Sequence, residues 1–329
     1  MNNFKDIIGH EQIIEHLSTA LKNNKISHAY IINGDNGTGK HILARAFAKA
    51  LQCEAGYGDS CDMCHSCLQA ESGNHPDIIE VIHEKTGSIG VDDVRNQINN
   101  DIMIKPYSSK YKIYIVDEAE KLTPQAQNAL LKTIEEPPAY GIILLLTNNM
   151  TSLLPTIRSR CVTLNIKAVE TRKIKQYLSE KYELPDYKAR MCAAFAQGNV
   201  GKAVRLATSE GFNEIYRDVL HLVKYIDDME IHEVAAAVKN LSKYKVDIYD
   251  IIDMMMVWYR DVLILKVSKD PNLLVYQEEY SALNKRGKKS SYDGIETIIS
   301  SMEKAKVRLQ ANVNFDLVME LMLLTIKEN

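Results

Sequence analysis

Short apolar runs alternate with helical periodicity along the first half of the chain. Four of these runs predict strands, at residues 29–32, 78–82, 113–117 and 142–147. Between them, apolar residues recur every three or four positions, which predicts amphipathic helices. The helix after the first strand has its apolar positions at Ile42, Leu43, Ala46, Phe47 and Ala50. Another helix is predicted from Pro124 to about Glu135, because Thr123 can cap its free amides, Pro124 fits its first position and Pro137-Pro138 ends it. This alternation is typical of an α/β domain, in which a parallel sheet is covered by helices.

The second half of the chain has a different pattern. Strand signals stop near Val169, and three helical segments rich in Ala and Leu run to about Ala207. Longer helical segments follow, such as residues 248–266 and 315–326. At 329 residues the chain is long enough for two or three domains. We therefore predict an α/β domain at residues 1–165, a small helical domain at 166–208 and an all-helical domain at 209–329.

A glycine-rich segment lies between the first predicted strand and the helix that follows it. Residues 34–41, GDNGTGKH, match the phosphate-loop pattern G-x-x-x-x-G-K-[ST] except at the last position. In such a loop the backbone amides and the helix N-terminus face the phosphates, and the lysine reaches the terminal phosphates. Because strand and helix are both in place, we predict that the loop can bind ATP or ADP. The candidate nucleotide-binding residues are Gly34, Gly37, Thr38, Gly39, Lys40 and His41.

His41 stands where a Ser or Thr hydroxyl normally binds Mg²⁺. Magnesium prefers oxygen ligands in a tight octahedron, and an imidazole is bulkier and softer than a hydroxyl. We therefore expect nucleotide hydrolysis to be impaired and magnesium not to be held in the usual way. The alternative is that a water or another residue fills this position and the site still works, since magnesium usually keeps several waters.

Two acids follow the third predicted strand. Asp117 and Glu118 end an apolar run, a pattern in which the Asp holds magnesium and the Glu positions the attacking water. Buried strands often end in acids, so the pattern alone is weak. It gains weight because it follows a phosphate loop in the same predicted sheet, and we add both residues to the nucleotide site.

Four of the six cysteines form a cluster in the sequence, at Cys53, Cys61, Cys64 and Cys67. Two overlapping C-x-x-C pairs supply converging thiolates, and Cys53 at the end of the preceding helix completes a tetrahedral set. Four sulfurs leave no open position, so we predict a structural Zn²⁺ site in a module at about residues 53–67. Redox chemistry is the rival interpretation, because C-x-x-C also occurs in thiol-exchange motifs. His65 and His75 are alternative ligands.

Composition and charge exclude several classes of protein. Hydrophobic residues make up 46% of the chain and charged residues 25%, which matches a folded globular protein. Forty Lys and Arg against 43 Asp and Glu give a net charge of −3, so strong autonomous binding to nucleic acid is not expected. The longest apolar runs, such as residues 142–146, are too short to span a membrane. Because the N-terminus is polar where a signal peptide would be apolar, we expect a cytoplasmic protein with free thiols.

Several strings together resemble one family, the bacterial clamp-loader subunits of the AAA+ ATPases. The matches cover about residues 1–208. They are SHAYIINGDNGTGK at 27–40, the four-cysteine set, HPD at 75–77, VDDVR at 91–95, NALLKTIEEPP at 128–138 and SRC at 159–161. The resemblance implies a P-loop AAA+ domain with a zinc-binding insertion, then a helical lid and a C-terminal collar that assembles with the other subunits.

The resemblance also gives a role to Arg160, which by spacing alone is one of two arginines, with Arg158, on a helix face. In the family, the arginine of the SRC string is a finger that enters the nucleotide site of the neighbouring subunit. Arg160 is therefore implied to be catalytic in trans. Residues 147–149 are implied to form a sensor segment at a strand end.

Three features are similar to the non-motor members of this family. His41 breaks the magnesium position, Gly201 stands where motor subunits carry a nucleotide-sensing arginine, with Lys202 beside it, and HPD is followed by VDDVR. We therefore expect a stator of the DNA polymerase III clamp loader with little ATPase activity of its own. Its implied partners are the tau or gamma and delta subunits and, through the complex, the sliding clamp and primed DNA.

Two rival functions stay open at this point. The first is an ATP-hydrolysing motor subunit of the tau or gamma type. The second is a zinc-dependent module that binds nucleic acid without forming a ring, against which the slightly acidic charge balance argues.

Overall fold

The computed structural model describes residues 3–82, 87–268 and 270–329. The chain divides into two compact units. The first comprises Met1–Tyr177 with Gln197–Lys202, and the second comprises Leu178–Ala196 with Ala203–Asn329. The sequence-based boundaries near residues 165 and 208 stay predictions.

A five-stranded parallel sheet forms the centre of the first unit. Its strands are β1 (Ala29–Asn33), β2 (Ile78–Glu80), β3 (Lys112–Val116), β4 (Gly141–Thr147) and β5 (Val162–Asn165), and their order across the sheet is β2-β3-β4-β1-β5. In register, Ile31 of β1 pairs with Leu145 of β4 on one side and Thr163 of β5 on the other. Parallel strands bring their carboxyl ends to one edge of the sheet, which is where the candidate nucleotide residues follow β1 and β3.

Helices cover the sheet of the first unit. They are α1 (Glu11–Lys22), α2 (Lys40–Gln52), α3 (His65–Glu71), α4 (Val91–Val94), α5 (Pro124–Glu135) and α6 (Pro155–Arg158). The predicted start of α5 is confirmed, because the Thr123 side chain accepts a hydrogen bond from the Ala126 amide at 3.2 Å and Pro124 occupies the first turn. Its end before Pro137 is also as predicted.

The two faces of the sheet bury different residues of the same strands. On one face, Ile31, Tyr114 and Leu145 belong to a core that also includes α5 residues such as Leu130. On the other face, a second core contains β-strand and α2 residues, including Tyr30, Ile32, Ile115, Leu144, Leu43 and Phe47. Because successive side chains of a strand point to opposite faces, a continuous apolar run is needed to fill both cores. This confirms the predicted α/β class.

One strand escapes the sequence pattern. β5 was not predicted, and its sequence VTLN is short, half polar and only partly buried at the edge of the sheet. β2 is also shorter than predicted, since it ends at Glu80 rather than at residue 82. Edge strands with one exposed side give weak periodic signals.

The second unit is helical, as the pattern predicts. The chain crosses between the units within α7 (Thr171–Tyr182), at residues 196–197 and within α9 (Val200–Thr208). The other helices are α8 (Asp186–Phe195), α10 (Phe212–Tyr225), α11 (Ile231–Leu241), α12 (Ile248–Val267), α13 (Tyr280–Lys289), α14 (Tyr292–Gln310) and α15 (Phe315–Glu328). Its core includes an aromatic cluster in which Tyr276 contacts Phe195, Tyr216 and Trp258. Met254, Met255 and Trp258 are buried here and belong to the core.

Within the part of the chain that the structure describes, no helix combines the length and the apolar character that crossing a bilayer requires.

Candidate nucleotide and metal sites

The phosphate loop joins β1 to α2 and is shaped by glycines. Gly37 and Gly39 have φ values of 81° and 92°, a left-handed conformation that side chains disfavour. A Cβ at Gly39 would meet nothing within 4 Å, so the backbone conformation rather than lack of space requires glycine there. The loop therefore has the backbone freedom that wrapping a phosphate needs.

Lys40 begins α2 and lies along its own loop. Its Nζ donates to the carbonyl of Gly34 at 2.6 Å and to that of Asp35 at 3.0 Å. Burial lowers the pKa of Lys40, while the carboxylates of Asp117, Glu120 and Asp35 act in the opposite direction. If a phosphate bound here, its oxygens would replace the two carbonyl oxygens as acceptors for the Lys40 ammonium, which already lies near several acids.

His41 is paired with an acid of the sheet. Its Nε2 lies 3.6 Å from Oε1 of Glu80, at the end of β2, and the Arg45 Nε lies 3.1 Å from the same oxygen. The imidazole supplies a nitrogen at the position where a phosphate loop normally supplies a hydroxyl oxygen. The sequence did not single out Glu80 or Arg45, because their pairing depends on the distance between β2 and α2 in the folded sheet.

Asp117 and Glu118 follow β3 directly, as predicted. The Asp117 Oδ1 accepts a hydrogen bond from the Glu118 amide at 2.8 Å, and Asp117 contributes to the charge around Lys40. Glu118 has a left-handed φ of 50° and its carboxylate is 2.7 Å from the Lys121 Nζ. The Asp117 carboxylate therefore interacts electrostatically with the phosphate-loop lysine, whereas the Glu118 carboxylate forms an ion pair with Lys121.

The segment after β4 contacts the same loop. Asn148 Nδ2 donates to Asn36 Oδ1, and its backbone amide donates to Glu120 Oε2, both at 3.3 Å. Thr147 is buried, and its hydroxyl accepts from the Asn149 amide at 3.1 Å. The sensor segment implied by the resemblance is thus in contact with the phosphate loop through Asn148.

Residues 199–201, at the start of α9, hold the loop from another side. Asn199 Nδ2 donates to the Asn36 carbonyl at 2.7 Å, and the Gly201 amide donates to the Gly37 carbonyl at 2.9 Å. A Cβ on Gly201 would lie 2.5 Å from that carbonyl oxygen and 3.0 Å from the Gly37 Cα. At position 201 an arginine is not merely missing. No side chain fits between this residue and the loop, so glycine is required there.

Two contacts of this site were not found from the sequence. Asn199 has a weak sequence signal, because Asn is a preferred residue at helix N-termini. In the structure its Oδ1 accepts a hydrogen bond from the Lys202 amide at 2.9 Å, in the manner of a helix cap. His10, which has a φ of 60°, has its pKa lowered by burial, against the effect of a hydrogen bond to the Thr38 backbone. A lone histidine in an N-terminal segment carries no sequence signal of this contact.

The four clustered cysteines converge in space. Their sulfurs all lie within 4.8 Å of one another. Cys53 directly follows α2, Cys64 caps the N-terminus of α3, and Cys67 lies in its first turn. Four thiolates at such distances can hold one tetrahedral metal ion and leave no open position for a substrate.

Backbone amides point at three of these sulfurs. The amides of Cys61, Cys64 and Cys67 donate to the sulfurs of Cys53, Cys61 and Cys64 at 3.3–3.4 Å. Amide donors from Met63 and Cys64 lower the pKa of Cys61 to about 6, whereas burial raises the pKa of Cys67. Amide hydrogen bonds favour thiolates, which are the form that binds metal, so the donor set fits Zn²⁺.

Neighbouring contacts fix the module and exclude one alternative ligand. Lys49 of α2 is buried, and its Nζ lies 2.8 Å from Asp62 and 2.7 Å from Glu71. The two ring nitrogens of His75 are both engaged, Nε2 by the Ser66 hydroxyl at 2.9 Å and Nδ1 by the Asp77 amide at 3.1 Å. His75 is therefore held as a structural residue rather than as a metal ligand.

Arg160 lies apart from these two sites, between α6 and β5. Its side chain is 41% exposed, and it contacts the Thr156 carbonyl and the Glu135 carboxylate, both at 3.0 Å. Arg158, by contrast, is partly buried. The structure thus brings together the phosphate loop, Asp117 and Asn148, and it leaves Arg160 at the surface.

Comparison with known proteins agrees with the motifs. Residues 9–170 match the family described as DNA polymerase III, delta subunit. The chain is 29% identical over 321 residues to DNA polymerase III subunit delta' of Bacillus subtilis, with 96% of each chain covered. It is also 30% identical to subunit tau of Bacillus subtilis and 35% identical to subunit tau/gamma of Haemophilus influenzae, over 80% and 68% of this chain. The chain spans only 50% and 34% of the length of these two relatives.

The cysteine cluster yields a prediction about bound metal. Purified under reducing conditions, the protein is expected to carry about one equivalent of zinc, because a closed four-thiolate set binds it tightly. Cys64→Ser should lose most of the metal, whereas Cys161→Ser, outside the cluster, should retain it. Elemental analysis of the purified chains measures both. Less than about half an equivalent in the unaltered protein would contradict a structural zinc site.

The contact between Gly201 and Gly37 yields a second prediction. A methyl group in Gly201→Ala would displace residues 199–201 and break the hydrogen bond to the loop, so amides of residues 36–39 should exchange about tenfold faster, the equivalent of ~1.4 kcal/mol. Hydrogen exchange read by mass spectrometry on a peptide covering the loop measures this. Gly211→Ala is the matched control, because a Cβ there meets nothing within 4 Å. Equal exchange in both variants would show that the contact does not hold the loop.

Proposed function

Because this chain belongs to the family of bacterial DNA polymerase III clamp-loader subunits, we propose that it acts as a stator of the delta prime type. In this function it helps to hold the loader together and supplies Arg160 to the nucleotide site of a motor neighbour. The loader then opens the sliding clamp and places it on primed DNA. The similarity to a delta' subunit over 96% of both chains supports this choice.

The observation that carries the proposal is the contrast between the chain's own nucleotide site and Arg160. In its own site, His41 takes the place of a magnesium ligand and is paired with Glu80, and Gly201 leaves no room for a sensing side chain. Arg160 is exposed, and its contacts within the described part of the chain are with Glu135, Thr156 and Ser159, outside that site. A chain of this kind is suited to assist hydrolysis elsewhere rather than to perform it.

An arginine supplied in trans acts through charge. As a phosphoryl group is transferred, negative charge spreads over its oxygens, and a guanidinium placed beside them stabilises that charge. Arginine suits this task because its planar group stays charged and offers several donors at once. Arg160 would take the part of this finger, while residues 147–149 and Asp117 would belong to the chain's own, incomplete site.

The remaining regions have supporting parts in this proposal. Residues 53–67 form a module that zinc holds rigid, residues 166–208 form the lid, and residues 209–329 form a collar that packs with equivalent regions of the tau or gamma and delta subunits. Contact with the sliding clamp and with primed DNA is made through the assembled complex. The chain binds ATP or ADP at most as a static ligand, and it works in the cytoplasm.

Arg160 provides the direct test. In a loader reconstituted from all its subunits, Arg160→Ala should slow clamp loading at least about tenfold, because one active site loses the arginine that stabilises its transition state. Assembly, followed by gel filtration, should be unchanged. Arg172→Ala, an exposed arginine of the same unit, is the control and should load clamps at the normal rate. Unchanged loading by Arg160→Ala in an intact complex would remove the proposed function.

His41 separates the stator from a motor subunit. The isolated, zinc-loaded chain is expected to bind ATP equally with Mg²⁺ and with EDTA, because His41 supplies no oxygen ligand. His41→Thr should make binding depend on magnesium, with ATP bound about tenfold more tightly in its presence, the equivalent of ~1.4 kcal/mol. Calorimetric titration measures both affinities. Rapid magnesium-dependent ATP turnover by the unaltered chain would instead favour the motor function.

A further inference from the structure

Arg160 is held by three contacts within its own chain. Nη1 donates to the Thr156 carbonyl at 3.0 Å and to the Ser159 hydroxyl at 3.4 Å, and Nη2 lies 3.0 Å from the Glu135 carboxylate. The Arg160 and Glu135 side chains are 41% and 45% exposed. Two of the contacts come from residues within four positions of Arg160 in the sequence. Glu135 is the only one of the three that comes from a distant helix.

The two sides of this ion pair have a fixed relation to each other. Glu135 is the last residue of α5, whose residues Leu130 and Ile134 are buried in the core. The buried Gln127 of the same helix donates to the Ser152 carbonyl at 3.0 Å and accepts from the Leu154 amide at 2.7 Å. Because Leu154 directly precedes α6, these bonds set the place of α6 relative to α5. The Glu135 carboxylate is therefore presented at a defined position beside Arg160.

We propose that Glu135 is a positioning residue for the finger, which orders the Arg160 guanidinium before the neighbour's phosphates arrive. The proposal rests on the proposed function of Arg160. A free arginine side chain loses rotamer entropy when it is fixed. Glu135 and Thr156 fix it in advance, so less of that loss falls on the step that engages the phosphate.

The geometry leaves the arginine able to bind a phosphate. A guanidinium has more N–H donors than the three contacts use, so some remain for a phosphate oxygen. The exposure of Arg160 keeps these donors accessible to another subunit. In the opposite case the Glu135 carboxylate would compete with the phosphate for Arg160 and slow the reaction. Removal of Glu135 would then raise kcat, whereas removal of a positioning residue lowers it, and our proposal is the positioning role.

The experiment is a double-mutant cycle in the reconstituted loader with ATP, clamp and primed DNA. Glu135→Ala should lower kcat about two- to five-fold, which is ~0.4–1 kcal/mol and in the range of an exposed ion pair, with KM unchanged. Glu135→Gln, which still accepts a hydrogen bond, should fall between Glu135→Ala and the unaltered protein. In the Arg160→Ala background, Glu135→Ala should have no further effect, because it acts through the arginine.

A matched control and an assembly measurement complete the test. Glu136→Ala removes an exposed acid one residue away and should leave kcat unchanged. Gel filtration reports assembly of every variant, and Glu135→Gln carries the test if Glu135→Ala does not assemble. A faster loader with Glu135→Ala, an unchanged one, or an equal loss with and without Arg160 would overturn the positioning role. An inert Arg160→Ala in an intact complex would overturn the proposed function itself and this role with it.

Discussion

Two backbone segments meet where residue 201 lies against the phosphate loop, and the conformation of the loop depends on this contact. The Gly201 amide reaches the Gly37 carbonyl at 2.9 Å, and a Cβ would stand 2.5 Å from the same oxygen. Only glycine satisfies the hydrogen bond and the close approach together. Asn199 and Asn148 hold the neighbouring residue Asn36 from two directions. The loop is therefore ordered by its own chain as well as by any ligand.

The charges around the loop are largely balanced within the protein. Lys40 donates to loop carbonyls, is partly desolvated and faces several acids, while His41 and Arg45 share the Glu80 carboxylate. The Lys40 ammonium and the Arg45 guanidinium therefore already have partners within the same chain. Arg160 differs, because its partners are exposed and its ion pair with Glu135 is of the weak, solvent-screened kind, which leaves guanidinium donors accessible. The proposed role of Arg160 in a neighbouring nucleotide site depends on this accessibility.

Helix α2 links the nucleotide site to the cysteine cluster. It begins at Lys40 in the phosphate loop and ends directly before Cys53. Lys49, on the same helix, is buried between Asp62 and Glu71 of the cysteine module. A metal ion in the cluster would close a loop of chain that starts at this helix, which restricts the end of α2. The cysteine module therefore restrains the helix that carries the phosphate-loop lysine.

The sequence by itself determined the α/β class, four of the five strands, α5 with its cap, the phosphate loop and the cysteine set. These features are local, because they depend on periodicity, on glycines in a strand–loop–helix context and on cysteine spacing. It missed β5, whose polar edge sequence lacks a periodic signal. Tertiary structure alone decided that Glu80 pairs with His41, that Gly201 rests on Gly37 and that Glu135 meets Arg160. Each of these contacts joins residues far apart in the chain, and their distances are set by how helices and strands pack, which no local pattern encodes.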